Sequence, residues 1–190
     1  MTVTTRCHWV TEDKIYIEYH DREWGVPVYE DKKLFECLTL EAAQAGLSWL
    51  TVLKKRDHYR KVYDEFDPMK VSLYGDKKIE SLLKDSGIIR NKLKILSSIN
   101  NAKKVLEIQK EFGSFSSYIW SFVGSKINNN YFNDYDSKSD LSDLISKDLK
   151  KRGFRFIGST IIYAFMQAVG MVNDHTVSCF KRELTDIQKS

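Results

Sequence analysis

Apolar residues recur at spacings of three and four along almost the whole chain, and sustained strand-type alternation is hard to find, so the pattern predicts an all-α fold. Asp13 is placed to cap a short helix carrying Ile15, Tyr16, Tyr19, His20 and Glu23; positions 16, 19, 20 and 23 share one unusually polar and aromatic face. Trp24-Gly25-Val26-Pro27 reads as a turn, after which Asp31 is expected to cap a helix running to Gly46. Ser48 opens a longer helix to about Phe66, closed by Asp67-Pro68. From Asp76 another helix holds Ile79, Leu82 and Leu83; Ser86-Gly87 interrupts it before Ile88-Ile89-Arg90-Asn91, and a helix from Asn91 continues to about Lys110. Ser114 is placed to cap a short helix with Phe115, Ile119, Trp120 and Phe122. The tract from Gly124 through Lys138 is polar and patternless and reads as a mobile loop. Ser139 or Ser142 restarts a helix that ends at Lys150-Lys151-Arg152-Gly153. Gly158-Ser159-Thr160 then opens the most apolar helix, Ile161 to Val169, stopped by Gly170 and expected at the centre of the fold.

Two places break this pattern in a chemically suggestive way. Glu41 falls on the apolar row of Leu34, Leu38 and Ala45, where an unpaired charge would cost several kcal/mol or hold a proton. With Gly46 ending that helix and Ser48 capping the next, Trp49 comes just beyond a sharp bend, and the acid and the indole can share one concave site. The competing reading is a half-exposed acid and a core tryptophan; burial decides between them. The second place is the hairpin around Ser86-Gly87. It presents backbone amides at a new helix N-terminus, which suits a phosphate oxygen, with Lys92 and Lys94 close by. As a bare pattern this is weak, because many unrelated helical hairpins contain one glycine.

Composition narrows the picture further. At 190 residues, with 42% hydrophobic and 29% charged residues, the chain is expected to form one domain spanning residues 1–190. The net charge of +4 is small, but basic residues cluster at Lys54-Lys55-Arg56, Lys92 with Lys94, Lys103-Lys104, and Lys147 with Lys150-Lys151-Arg152. Such clusters fit a polyanion and also fit an ordinary solvated surface. No apolar run approaches membrane-spanning length and the first residues lack a secretory core, so a cytoplasmic protein is expected.

Three cysteines argue against a disulfide framework. Cys7 and His20 stand near one end of the chain, and His175 and Cys179, at i and i+4, near the other; two sulfurs and two nitrogens make a closed tetrahedral set suited to one structural zinc ion. Such a set leaves no position for a reactive water. Cys37 and His58 lack matching neighbours and read as structural.

Assembled, these residues resemble the bacterial DNA-3-methyladenine glycosylase I family. The resemblance is carried by Arg6-Cys7-His8-Trp9-Val10, Tyr19-His20-Asp21-Arg22-Glu23-Trp24-Gly25-Val26-Pro27, Leu40-Glu41 with Gln44-Ala45-Gly46-Leu47-Ser48-Trp49, Lys151-Arg152-Gly153-Phe154 and Val172-Asn173-Asp174-His175. It implies a helix-hairpin-helix glycosylase fold, with two helical lobes around a base-binding cleft and termini joined by zinc on Cys7, His20, His175 and Cys179. It places the pocket acid on Glu41, a hydrogen-bonding phenol on Tyr19, a stacking ring on Trp49 and pocket walls on Trp9 and Tyr16. The hairpin, with Gly87, Ile88 and Arg90, becomes the DNA-binding turn. The implied activity is flipping and hydrolytic release of 3-methyladenine from double-stranded alkylated DNA by a monomeric, monofunctional enzyme. A zinc-stapled DNA-binding module and a zinc hydrolase are the alternatives; the module has no use for a carboxylate in an apolar stripe beside tryptophan, and metal analysis of a Cys179→Ala variant separates a structural ion from a hydrolytic one.

Overall fold

A computed structural model describes residues 4–124, 128–129 and 137–182. Most of the loop expected after Gly124 lies outside the described residues. Helix α1 (Lys14–Arg22) starts where the Asp13 carboxylate accepts from the Ile15 amide. Helix α2 (Asp31–Gln44) ends before Gly46, whose φ of 80° suits glycine. Asp31, however, does not cap α2. Its carboxylate accepts from Gln109 Nε2 and from the Phe115 and Ser116 amides at 2.7–2.8 Å, so it satisfies the first turn of a different helix, α8 (Phe115–Ser121).

The expected long helix from Ser48 is broken into α3 (Trp49–Leu53), α4 (Arg56–Val62) and a 3-10 turn at Asp64–Phe66. Leu53 and Tyr59 are six residues apart, which a straight helix would put on different faces; breaking at Lys54 and Lys55 lets both point into the core. Helices α5 (Pro68–Ser72), α6 (Asp76–Lys84) and α7 (Lys92–Phe112) follow, with Asp67 and Asn91 capping α5 and α7. Ser114 caps α8, and Ser139, in a reciprocal pair with Ser142, caps α9 (Asp140–Lys151). Helix α10 (Ser159–Ala168) precedes Gly170, where φ is 75° and a Cβ would sit 2.6–2.8 Å from the backbone of Pro27, Val26 and Gly25. Only glycine lets the turn after α1 pack this closely on the end of α10. The two-residue strands β1 (Asn128–Asn129) and β2 (Val172–Asn173) pair in parallel.

Helix α7 packs against α5, α6, α8 and α2, whereas α10 packs against α9 and α2. The fold is therefore two helical lobes that meet on α2. The sequence makes α10 the central helix, and it is buried on one face; but α2 is buried from Leu34 to Ala43 on nearly every side, Cys37 alone being intermediate. A separate small cluster of Cys7, Tyr19, Trp24, Leu53, Ala168 and Cys179 joins the two ends of the chain. No helix is long and apolar enough to cross a membrane among the described residues.

Candidate active site and metal centre

A cavity of about 220 Å³ opens where α1, the end of α2, the start of α3 and α10 meet. Trp9, Tyr16, Tyr19, Trp24, Glu41, Gln44, Trp49, Ala164 and Gln167 line it, so the five residues expected in the pocket come together. Glu41 is 5% exposed, which rules out the half-exposed alternative. Among the described residues no side chain donates to its carboxylate, and burial pushes its pKa from 4.5 up to about 8. Burial alone thus favours the neutral form of this group at pH 7, whereas an adenine cation calls for the ionised acid. The physical reason is that no group among the described residues supplies a counter-charge; a cationic ligand would.

Aromatic rings form the rest of the wall. Tyr19 and Trp49 lie with ring centroids 5.4 Å apart, and Trp9 contacts Tyr16 and Trp24 at 5.0 Å. The Arg56 guanidinium sits 5.8 Å from the Tyr19 ring and is held by a two-pronged bond to Glu23, 2.7 Å on each arm. Trp49 Nε1 is buried with no acceptor in the described protein. An electron-poor planar ring entering here would meet indole and phenol faces and one carboxylate. Trp24, Gln44, Ala164 and Gln167 were not singled out by the sequence as pocket residues. Gln44 lies one turn beyond Glu41 and had a readable signal; Gln167 was hidden in a helix that reads as continuous core.

Cys7, His20, His175 and Cys179 are all buried, with donor atoms within 4.8 Å of one another. Cys179 Sγ lies 3.4 Å from His20 Nε2 and 3.6 Å from His175 Nδ1, and Cys7 Sγ lies 3.6 Å from His175 Nδ1. A tetrahedral zinc with bonds of about 2.3 Å to sulfur and about 2.0–2.1 Å to nitrogen holds S and N about 3.5 Å apart, so the donor set fits such an ion. His20 Nδ1 is oriented by Asp21 at 2.8 Å, and Arg6 grips Asp21 in turn. One expectation fails: His175 and Cys179 do not share a helical turn. They lie in an irregular segment closed by the Cys179 amide on the Thr176 carbonyl. Trp9 packs on His20 with centroids 5.3 Å apart, which ties the Cys/His cluster to the cavity wall.

The hairpin forms between α6 and α7, but its amides are not disposed as expected. Gly87 N donates to Asp85 Oδ1 at 2.8 Å, Ile88 N turns back to the Asp85 carbonyl and Ile89 N donates to the Tyr59 hydroxyl. What faces outward is the exposed side chain of Arg90 and the first turn of α7, Lys92 and Leu93, ahead of the capped Lys94 amide. His58, which reads as structural, bonds Asp85 at 2.8 Å and so buttresses the same turn. The basic clusters are also partly consumed: Lys54 pairs with Asp13, Lys55 bonds the Ser86 carbonyl, and Arg152 bonds Glu111 and Asp148.

This arrangement has clear relatives. Residues 9–182 match the methyladenine glycosylase family. The chain is 48% identical over 177 residues to DNA-3-methyladenine glycosylase 1 of Escherichia coli (strain K12), covering 92% of this chain and 95% of that protein. It is 48% identical over 180 residues to the DNA-3-methyladenine glycosylase of Haemophilus influenzae, covering 93% and 97%. Among solved structures, 3-methyladenine DNA glycosylase I from Staphylococcus aureus superposes with a TM-score of 0.90 at 35% identity, over 95% of this chain and 98% of that one. On sequence and fold alike, the chain belongs to the methyladenine glycosylase family.

Proposed function

We propose that this chain is a DNA-3-methyladenine glycosylase I, a base excision repair enzyme that flips 3-methyladenine out of alkylated double-stranded DNA and hydrolyses its N-glycosidic bond. The observation that carries this reading is Glu41, a buried carboxylate without a protein partner in a cavity walled by aromatic rings. Methylation at N3 leaves adenine with a positive charge, which makes it a better leaving group and a better ligand for this cavity. Trp49 stacks on the cation, a contact worth about 2 kcal/mol when desolvated. Glu41 ionises against the cation and accepts from its exocyclic amine, and Tyr19 fixes its orientation, with Tyr16 and Trp9 as walls. Unmodified adenine supplies no charge and would leave Glu41 protonated.

Glu41 is the only carboxylate among the residues lining the cavity. The reading therefore assigns the protein to selection and electrostatic support of a base that already departs readily, with water adding to the sugar as the bond breaks. No lysine stands among the residues lining the cavity, so no amine is placed to bond the sugar, which supports a monofunctional enzyme. Gly87, Ile88 and Arg90 belong to the helix-hairpin-helix element that receives the DNA backbone. The amides of Gly87 and Ile88 shape the turn, while Arg90 and the start of α7 meet phosphate. Zinc on Cys7, His20, His175 and Cys179 fastens the termini and supports Trp9 through His20. The chain acts as one domain and a monomer in the cytoplasm and releases free 3-methyladenine.

The deciding experiment incubates purified protein with methylated duplex DNA and identifies the released bases. Release of 3-methyladenine, lost in Glu41→Gln, supports the reading; duplex binding without any released base overturns it.

A further inference from the structure

Asp174 does not line the base cavity, but it bonds a residue that does. It is 4% exposed, and its Oδ2 accepts from the Tyr163 hydroxyl at 2.8 Å and from Gln167 Nε2 at 2.7 Å. Its Oδ1 is buried with no partner among the described residues, so the carboxylate has acceptor capacity to spare. A carboxylate oxygen offers an amide no hydrogen. Gln167 therefore turns its nitrogen toward Asp174, because the flipped amide would set Oε1 against Oδ2, two acceptors at hydrogen-bond distance.

The consequence falls on the cavity side. Gln167 lines the cavity and no donor reaches its Oε1 among the described residues, so the amide presents a carbonyl oxygen to an entering base. Gln44 also turns Nε2 away from the same cavity, to the Leu47 carbonyl, but that bond is 3.3 Å long, neutral and exposed, and it holds the amide loosely. Glu41 reaches the cavity from α2 and Gln167 from α10, which packs against α2. A 6-amino group on a purine has two N–H bonds, one for each of these side chains. A 6-oxo group has none. Methylation at N3 makes adenine and guanine nucleotides alike cationic, so charge does not tell them apart. Glu41, which burial lets hold a proton, can also donate to a 6-oxo group; an amide clamped by Asp174 cannot change ends.

We propose that Gln167 is a specificity-determining residue that accepts a hydrogen from the exocyclic amine of 3-methyladenine and disfavours 3-methylguanine, and that Asp174 is a positioning residue that fixes which end of the Gln167 amide meets the base. The inference rests on the DNA glycosylase reading above. A site that offers an acceptor rejects a ligand that brings another acceptor to the same place, because neither oxygen then finds a hydrogen.

The test exposes duplex DNA to a methylating agent that forms both bases, adds limiting protein and measures the ratio of 3-methyladenine to 3-methylguanine released. The two substrates compete in one tube, so the ratio does not change with the fraction of protein that is folded. The wild type should prefer 3-methyladenine. Gln167→Met keeps the length of the side chain and removes its carbonyl, and should lower the ratio about ten-fold. Asp174→Asn lets the Gln167 amide present either end and should lower it about three-fold or more. Gln167→Glu combined with Asp174→Asn exchanges donor and acceptor between the two positions while again turning an oxygen to the cavity, and should return the ratio to within about three-fold of the wild type. An unchanged ratio in Gln167→Met, or a wild type that releases both bases equally well, would overturn this inference alone. If Gln167→Met does not fold, a wild-type ratio in Asp174→Asn overturns it likewise. A wild-type protein that releases no base would overturn the glycosylase reading, and this inference with it.

Discussion

Lys94 Nζ donates to the carbonyl of Ala45 at 2.6 Å and to that of Ala43 at 2.8 Å, so a lysine of α7 closes the end of the helix that carries Glu41. The last carbonyls of a helix lack internal partners, and an ammonium there satisfies them and complements the helix dipole. Hydrogen bonds to charged groups contribute about 1.5–3 kcal/mol each. Lys94→Met should therefore lower stability by about 2 kcal/mol and loosen the Gly46 turn at the cavity edge. Thermal unfolding together with titration of free 3-methyladenine checks this, with Lys94→Arg expected to retain part of both.

The buried acid makes stability depend on pH in a defined direction. Glu41 titrates at about 8 when folded, against an ordinary value of 4.5, so between those values the folded chain holds a proton that the unfolded chain releases. The wild type consequently loses stability as pH rises from about 5 to about 8. Glu41→Gln lacks this loss. The two proteins should melt alike near pH 4, and at pH 8.5 Glu41→Gln should melt higher, being more stable by up to several kcal/mol. A pH-independent difference would mean that Glu41 is already paired.

The same group should release a proton when it meets a cation. At pH 7, binding of a positively charged 3-methyladenine nucleotide in duplex DNA should ionise Glu41, whereas an otherwise identical duplex with adenine should not. Calorimetry in two buffers of different ionisation enthalpy reads the proton count directly, and Glu41→Gln provides the baseline. Equal proton release from the wild type and Glu41→Gln would assign the proton to another group.

How much of this could be read from the chain depended on the reach of each interaction. Asp13, Ser48, Asp67 and Ser114 cap their helices as expected, and of the two serines offered at the start of α9 it is Ser139 that caps, because donor and acceptor lie within three residues. Asp31 looked like another such cap, yet its partners are Gln109, Phe115 and Ser116, far along the chain. The break at Lys54-Lys55 was likewise invisible to propensity; it is set by where Leu53 and Tyr59 must point. The Cys7, His20, His175 and Cys179 cluster was legible by residue type, but the helical spacing offered for His175 and Cys179 was the wrong geometry. Glu41 stood out because a carboxylate violates the apolar stripe, whereas Gln167 violates α10 more mildly and was passed over.

If the four-residue cluster holds a structural zinc, loss of one ligand should act on folding before it acts on chemistry. The wild type should contain one zinc per chain, and Cys179→Ala should contain much less. Removing the ion costs several kcal/mol, which for a chain of this size lowers the melting temperature by roughly 10 °C or more. Base release at a temperature where Cys179→Ala remains folded should stay within a few-fold of the wild type. Metal content, melting temperature and turnover measured on one preparation separate this from a Lewis-acid role, in which turnover falls with zinc content while the fold persists.

The hairpin offers a test that leaves the base pocket alone. A Cβ on Gly87 would run into the ring of His58, the residue that bonds Asp85, and Asp85 in turn accepts the Gly87 amide. Gly87→Ala must therefore push His58 aside and weaken the buttress that shapes the turn. It should cost about 1–3 kcal/mol of stability and weaken duplex binding, while free 3-methyladenine binds as before. Because the damage comes from one contact, the double variant Gly87→Ala with His58→Ala should be less destabilised than the sum of the two single changes. If the two changes instead add, His58 is not what confines position 87, and the turn owes its shape to the Asp85 bond alone.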